Sequence, residues 1–333
     1  MSSSSYPSTI KGIGIHKTGG VENIEELTLP FPEVKPDHVL VKVQWVGVNF
    51  IDTYLRALPD PFVPLPVAKE AAGIIAALPT DASVVSSEQY QRRNFQKGAG
   101  VAIDVMGALK EYVSVPWDQV YPLPASIAPR TAAAALLQGI TALTLLTESH
   151  NVAAGETVLI HTVAGGVGLL MAQLAHARGA TVIGTTSTPA KAALARAHGA
   201  DHVVLYKEED TVQRVLELTG ARARMFESDF KMIRRKGTLV SFGNASGAVP
   251  PVPLFKLTEK NIKLLRPTEV NYVTLPSERE HYSNLLWELV GSGQLKINVH
   301  GEYAFTAEGV RQAHLDLTTG KTTGKLLIKV SDD

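Results

Sequence analysis

Thr157-Val158-Leu159-Ile160-His161-Thr162-Val163-Ala164-Gly165-Gly166-Val167-Gly168 is the stretch whose reading decides the fold. Its first half, Thr157–Thr162, is apolar and β-branched and predicts a strand, while Gly166–Arg178 predicts a helix, so the glycines sit in the turn between them. That is the position of the G-x-G-x-x-G fingerprint of dinucleotide-binding βαβ units. Gly165 lets the backbone approach a pyrophosphate, Gly166 and Val167 begin the helix, and Gly168 allows close packing of helix on strand. The helix N-terminus presents N–H groups and a positive dipole end to phosphates. Val163 occupies the place of the first glycine, so the fingerprint is incomplete there. A tight strand–helix turn without a ligand is the competing reading, and the surroundings decide between the two.

Those surroundings alternate regularly. Strand Thr181–Thr185, helix Pro189–His198, strand His202–Leu205 and helix Glu208–Thr219 follow, with strands Thr238–Phe242 and Asn261–Leu265 closing the block. Strands alternating with helices of this length mean a parallel sheet covered on both faces. On the N-terminal side the chain reads instead as strands and loops: Ile10–His16, His38–Asn49, Ala72–Leu78, Gly100–Asp104 and Glu111–Val115. An exposed irregular loop is expected over Leu78–Gly98, and two helices over Arg130–Leu137 and Thr141–Glu148. Helices Pro276–Val290 and Ala307–Leu317 and a last strand, Lys325–Val330, end the chain. The expected class is therefore α/β: a discontinuous β-rich domain over 1–133 and 271–333, interrupted by a doubly wound cofactor domain over 134–270.

The identity of the dinucleotide follows from charge. An NAD site usually places Asp or Glu at the end of the strand after the glycine-rich turn, to bond the ribose 2′-OH. Here that region reads Gly184-Thr185-Thr186-Ser187-Thr188-Pro189-Ala190-Lys191, with no carboxylate. Ser187 offers a hydroxyl and Lys191 a cation on the first turn of the next helix, a pairing suited to a 2′-phosphate. NADP is the expected cofactor; a solvated surface lysine is the plainer reading of Lys191.

Composition narrows the classes further. The 333 residues are 45% hydrophobic and 19% charged, as in globular proteins rather than disordered ones. Lys+Arg and Asp+Glu each number 32, so no net charge favours nucleic acid or an anionic membrane as partner. Cysteine is absent, which excludes a disulfide framework and any zinc site built on thiolates, and no close His/carboxylate ligand pair replaces one; no metal is expected. Met1–Pro7 is polar, without the apolar core of a secretory signal, and no run reaches the roughly 18 apolar residues of a spanning helix. A cytoplasmic location is expected.

Several further stretches carry a resemblance. Val46–Arg56 (VGVNFIDTYLR), Leu136–Leu146 (LLQGITALTLL), His161–Gly168 (HTVAGGVG), Ser241–Val249 (SFGNASGAV), Lys260–Thr268 (KNIKLLRPT) and Thr322–Val330 (TTGKLLIKV) resemble, in order, the quinone oxidoreductase (zeta-crystallin-like) branch of the zinc-independent medium-chain dehydrogenases/reductases. The resemblance implies a GroES-like catalytic domain split around a Rossmann domain, with NADPH in the cleft, and a homodimer formed through Lys260–Leu265. It implies that Phe50, Asp52 and Tyr54 line the nicotinamide pocket and that Gln138 and Thr141 lie near the carboxamide. Ser187, Lys191 and Tyr206 would meet the 2′-phosphate. Phe242, Gly243, Asn244 and Ala245 would lie along the cofactor, with Arg266 and Lys325 near its ends. Read without the resemblance, Phe242-Gly243-Asn244 is a strand end and turn, Asp52 is a local cap or structural hydrogen-bond partner, and Tyr206 closes a strand onto the surface.

Hydride transfer needs no protein nucleophile; it needs the nicotinamide held against an acceptor, water excluded, and charge on the acceptor oxygen stabilised. Without thiolate-held zinc the acceptor must already be electrophilic, which suits a quinone or conjugated enone. Tyr54 is the candidate to bond or protonate that oxygen; the alternative is a wall residue, with water delivering the proton. Alongside NADPH-dependent quinone reduction stand an enone or alkenal reductase on the same fold and a catalytically impaired, crystallin-like NADPH-binding protein. Three departures from the family pattern bear on these. Ala68 replaces the usual glycine before Lys69-Glu70. The segment Ala82–Gly100 is longer than usual, ending Lys97-Gly98-Ala99-Gly100-Val101. Between Gly220 and Arg234 roughly ten residues are missing, about one strand and its turn, which should break the parallel sheet.

Overall fold

The computed structural model describes residues 6–57, 63–220, 228–245, 247 and 249–332. The polar lead Met1–Ser5 and the shortened connection at Ala221–Glu227 lie outside them. The chain divides into two compact units, Met1–Leu137 with Leu275–Asp333, and Gln138–Thr274.

The first unit opens on two antiparallel strands, β1 (Thr9–Ile15) and β2 (Ile24–Pro30), paired from Thr9–Pro30 to Ile15–Ile24. Next come β3 (His38–Val48), the short helix α1 (Phe50–Leu55), β4 (Leu65–Pro66) and β5 (Glu70–Ala77). Two short helices follow, α2 (Ala82–Val85) and α3 (Glu88–Arg92), then β6 (Gly100–Asp104), β7 (Tyr112–Pro116) and β8 (Val120–Pro122). Strand β3 is the spine. β5 runs antiparallel along one edge, while the other edge is shared, residues 38–42 pairing with β7 and residues 45–48 with the chain's last strand. Val39, Val41, Val43, Val46 and Val48 supply the buried side of this arrangement; valine crowds a helix but packs well on a pleated surface. The parity changes between Val43 and Val46 because the register with β5 shifts between Val43 and Trp45, as an extra residue in one strand requires.

Leu78–Gly98 differs from the exposed loop expected there. Asp81 and Ser87 cap α2 and α3 through their side chains, and Tyr90 and Phe95 are buried in the core. Tyr90 packs against Phe95 and Trp117 at centroid distances of 5.7 and 5.6 Å. The polar residues around these two aromatics mask an anchored insertion.

Helix α4 (Pro129–Thr144) then carries the chain into the second unit and ends in a wide turn of π-helix, Leu145–Ser149. The sequence suggests two helices here; Gly139, whose helical cost is roughly 1 kcal/mol, does not interrupt one. By length and apolarity Pro129–Ser149 could cross a membrane, but 67% of its apolar window is buried inside the protein, as in a core helix.

The second unit contains β9 (Thr157–Ile160), α5 (Gly166–Ala177), β10 (Thr181–Thr186), α6 (Pro189–Ala197), β11 (His202–Leu205) and α7 (Thr211–Thr219). After the connection come α8 (Ser228–Met232), β12 (Thr238–Val240) and β13 (Lys263–Leu265). The strands β11-β10-β9 form one parallel sheet and β12-β13 another, and among the described residues no strand joins β9 to β12. A doubly wound sheet has the order 3-2-1-4-5-6; the two pieces correspond to 3-2-1 and 5-6, with no fourth strand among the described residues. Polar contacts cross the interruption instead: His161 to Asp229 at 3.0 Å, Arg234 to Glu156 at 2.8 Å, and His150 to Thr238 at 3.3 Å. Lys260 ties down α8 by donating to the carbonyls of Phe230, Lys231 and Ile233 at 2.8–2.9 Å.

The chain returns to the first unit as α9 (Pro276–Gly291), β14 (Val299–Ala304), α10 (Ala307–Thr318) and β15 (Lys325–Lys329). The completed sheet has the order β14-β15-β3-β5-β6-β8, with β7 also on β3.

Candidate active site

In the second unit, the turn between β9 and α5 is built for close approach. Thr162 takes a left-handed φ of 54°, and the Gly165 N–H donates back to the Thr162 carbonyl at 2.9 Å. The first bond of α5 runs from Leu169 N–H to the Gly165 carbonyl at 2.9 Å, leaving the N–H groups of Gly166, Val167 and Gly168 without intrahelical acceptors. Gly168 is irreplaceable on steric grounds: a Cβ there would stand 2.6 and 2.7 Å from the carbonyl oxygens of Thr162 and Val163. Val163, in the first-glycine position, is fully buried, and a Cβ on Gly184 of β10 would stand 2.4 Å from one of its methyls. The glycine lost from the turn is thus matched by one in the neighbouring strand. Gln138 of α4 lies directly on the turn, its Oε1 2.2 Å from where a Gly166 Cβ would be. Thr141 is one turn further along α4 and half-buried.

The end of β10 is basic. Ser187 follows the strand, Thr188 caps α6 through its hydroxyl, and Lys191 sits on the first turn. Tyr206 and Lys207 lie just past β11, Tyr206 half exposed with its N–H bonded to the Thr186 carbonyl at 3.1 Å. Burial, and then the charge of Lys207, push the Lys191 pKa below its ordinary value. Lys207 is the residue sequence reasoning missed; its position directly after the third strand was the available signal. A third group collects after β12. Arg266 donates to Ser241 Oγ at 2.8 Å, the Gly243 carbonyl at 2.8 Å and Asn244 Oδ1 at 2.6 Å, so one guanidinium holds the turn that also bears exposed Phe242 and Ala245.

In the first unit, α1 carries Phe50, Asp52 and Tyr54; Phe50 and Tyr54 are half-buried, Asp52 fully buried. Asp52 Oδ2 accepts the Asn49 N–H at 2.7 Å, which makes it the cap of its own helix, the local role the sequence also allowed. Beneath α1 lies a cluster of charge. Lys325 of β15 donates to Glu70 of β5 and, at 2.7 Å, to Asn49 Oδ1. Glu70 also accepts from Asn49 Nδ2 and the Leu137 N–H, both at 2.8 Å. Gly47 makes the room, for a Cβ there would lie 2.5 Å from Glu70 Oε2. Lys325, expected near one end of the cofactor, is 1% exposed and committed to this cluster.

Two domain families match the chain: the "Alcohol dehydrogenase GroES-like domain" over residues 35–125 and "Zinc-binding dehydrogenase" over 166–289. Together they define a medium-chain dehydrogenase/reductase, with a GroES-like unit and a nucleotide-binding unit. A quinone oxidoreductase of Pseudomonas aeruginosa is 34% identical over 325 residues, covering 93% of this chain and 96% of its own. The crystal structure of a Pseudomonas syringae quinone oxidoreductase superposes with a TM-score of 0.88 at 32% identity, covering 96% of this chain and 100% of that one. An Escherichia coli quinone oxidoreductase complexed with NADPH superposes with 0.85 at 32% identity over the same shares. The chain belongs to the quinone oxidoreductase family. Zinc does not fit it: the sequence has no cysteine, and among the described residues no three His, Asp or Glu side chains are grouped to hold a metal.

Proposed function

We propose that the protein reduces a quinone or similar conjugated carbonyl with NADPH. One observation carries the cofactor choice: the β10–α6 turn holds no carboxylate, and two lysines, Lys191 and Lys207, stand close enough for one charge to act on the other. Lysines held together against their repulsion suit a doubly charged 2′-phosphate and gain nothing from a neutral 2′-OH. Ser187 and Tyr206 add hydroxyls, the amides of Gly166 and Val167 serve the pyrophosphate, and Gln138 and Thr141 the carboxamide. The turn Phe242–Ala245, held by Arg266, borders the cofactor, which when bound supplies the hydride.

The residues of this chain bind, orient and shield. Phe50 excludes water, and Tyr54 donates a hydrogen bond to the acceptor oxygen as charge develops on it. A homodimer also belongs to this reading: β13 pairs only with β12 among the described residues, leaving its outer edge for a second copy. The divided sheet favours a second reading, an NADPH-binding protein with weakened catalysis.

Fluorescence titration with NADPH and NADH tests the cofactor. NADPH should bind more tightly, and Lys191→Gln should weaken it about tenfold, roughly 1.4 kcal/mol, leaving NADH unchanged; equal affinities in the wild type would remove the reading. A panel of quinones and enones then separates enzyme from binder. Tyr54→Phe should lower kcat roughly tenfold to a hundredfold with little change in NADPH affinity, and an unchanged rate would take Tyr54 out of the reaction.

A further inference from the structure

The charge cluster beneath α1 is unbalanced. Asp52 and Glu70 are 0% exposed and Lys325 is 1% exposed, so two carboxylates share one ammonium away from water. The ammonium is committed to Glu70 and Asn49, and both Glu70 oxygens accept hydrogen bonds. Asp52 Oδ2 accepts the Asn49 N–H, and the backbone of Lys69 lies close enough to favour its charge, but Oδ1 is buried without a hydrogen-bond partner. A second ion pair nearby, Lys69 with Asp104 of β6 at 2.7 Å, balances itself. An ionised carboxylate with a bare oxygen, beside another carboxylate that already holds the ammonium, is costly. A neutral acid at the same position costs less, since it buries one unpaired O–H in place of a charge.

Asp52 lies two residues before Tyr54 on a helix of six residues. Whatever loosens the first turn of α1 therefore moves the whole helix. We propose that Asp52 is a positioning residue that works as a neutral acid, clamping the start of α1 so that Phe50 and Tyr54 face the acceptor, and that on ionisation the cost of a buried charge beside Glu70 outweighs the stronger Asn49 bond and draws the carboxylate, with the first turn of α1, toward water. The inference rests on the reading of Tyr54 as the acceptor-facing residue.

The groups that face Asp52 set its titration. Burial raises its pKa from 3.8 to about 7; the Asn49 N–H, Lys325 of β15 and the backbone of Lys69 pull it down, while Glu70 of β5 pushes it up. Because the folded value lies above the unfolded one, the stability contributed by the proton is complete below about pH 4 and lost as pH rises through about 7.

The test is the pH profile of kcat at saturating NADPH between about pH 6 and about pH 9. The wild type should lose about tenfold in kcat per pH unit above about 7, while its affinity for NADPH holds. Asp52→Asn keeps an acceptor for the Asn49 N–H and cannot ionise, so its profile should be flat. A flat wild-type profile, or the same alkaline limb in Asp52→Asn, would overturn the proposal. Should that variant not fold, the wild-type profile decides. If no acceptor turns over, the reading of Tyr54 has failed and the proton is sought directly in the unliganded protein. The infrared carbonyl band of a buried acid should be present at about pH 6, fade through about pH 7 and be missing from Asp52→Asn; its absence from the wild type at about pH 6 would refute the inference.

Discussion

Ala68 shows what one residue costs when the backbone asks for another. Its φ is 73°, in the left-handed region where a Cβ crowds the following carbonyl. Its own carbonyl accepts the N–H groups of Gly107 and Ala108, both at 3.0 Å, so the turn is held in that conformation. This is the position where the family pattern has glycine, and the structure supplies the reason. Ala68→Gly should stabilise the first unit by roughly 1 kcal/mol, a rise of about 2–4 °C in its melting transition. Calorimetry checks this, and a fall in that transition would show that packing of the buried methyl outweighs the backbone strain. Residues were legible where the sequence context was local. Thr188-Pro189-Ala190-Lys191 reads as a helix start with a cation on it, and so it folds. Asp52 was legible as a cap, since its bond reaches only three residues back to Asn49. Its neighbours Glu70 and Lys325 lie 18 and 273 positions further on (70 − 52 and 325 − 52), and no spacing rule announces a cluster assembled from one helix and two strands so far apart. Lys207 stands where a solvated surface lysine would also stand, and its closeness to Lys191 shows only in the fold.

Elements were legible where one period dominated. The alternation through β9, α5, β10, α6 and β11 gives strands and helices within a few residues of expectation, because apolar runs and glycine turns agree there. β2 was missed: it buries only Ile24 and Leu27 and carries Glu25 and Glu26 side by side, so its partner β1, not its own pattern, makes it a strand. Likewise α2 and α3 are too short for a helical period to show. In the proposed function the β9–α5 junction is the element on which cofactor binding turns. Gly168→Ala should cut NADPH affinity more than tenfold, because a methyl 2.6 Å from the Thr162 carbonyl oxygen must push the turn away from α5 and with it the amides of Gly166 and Val167. Calorimetric titration measures this. Near-native affinity would mean that the helix slides instead of the turn opening.

At the scale of the molecule, the two units differ in how their sheets are completed. The first has a seven-stranded sheet with β3 paired along both edges, and a core from Ile13 to Ile328. In the second, β9 and β12 each lack a strand partner on one side among the described residues. The buried cluster on its three-stranded sheet is Ile183, Val204, Val215 and Met232, with Leu159, Val212 and Leu218 packed against it. The contacts across the interruption are side-chain bonds at half-exposed positions such as His161 with Asp229, each worth roughly 0–1 kcal/mol, whereas a lost interior strand takes with it two ladders of backbone bonds and a buried face. The second unit should therefore melt first, giving two calorimetric transitions, and the amides of β9 and β12 should exchange with solvent faster than those of β3 and β5. NADPH at about a hundred times its Kd adds about 2.7 kcal/mol to a state that binds it, so the lower transition should rise by several degrees and draw toward the upper one. A single transition, unmoved by NADPH, would mean that the polar contacts compensate for the strand absent between β9 and β12 among the described residues and that the cofactor does not engage the second unit.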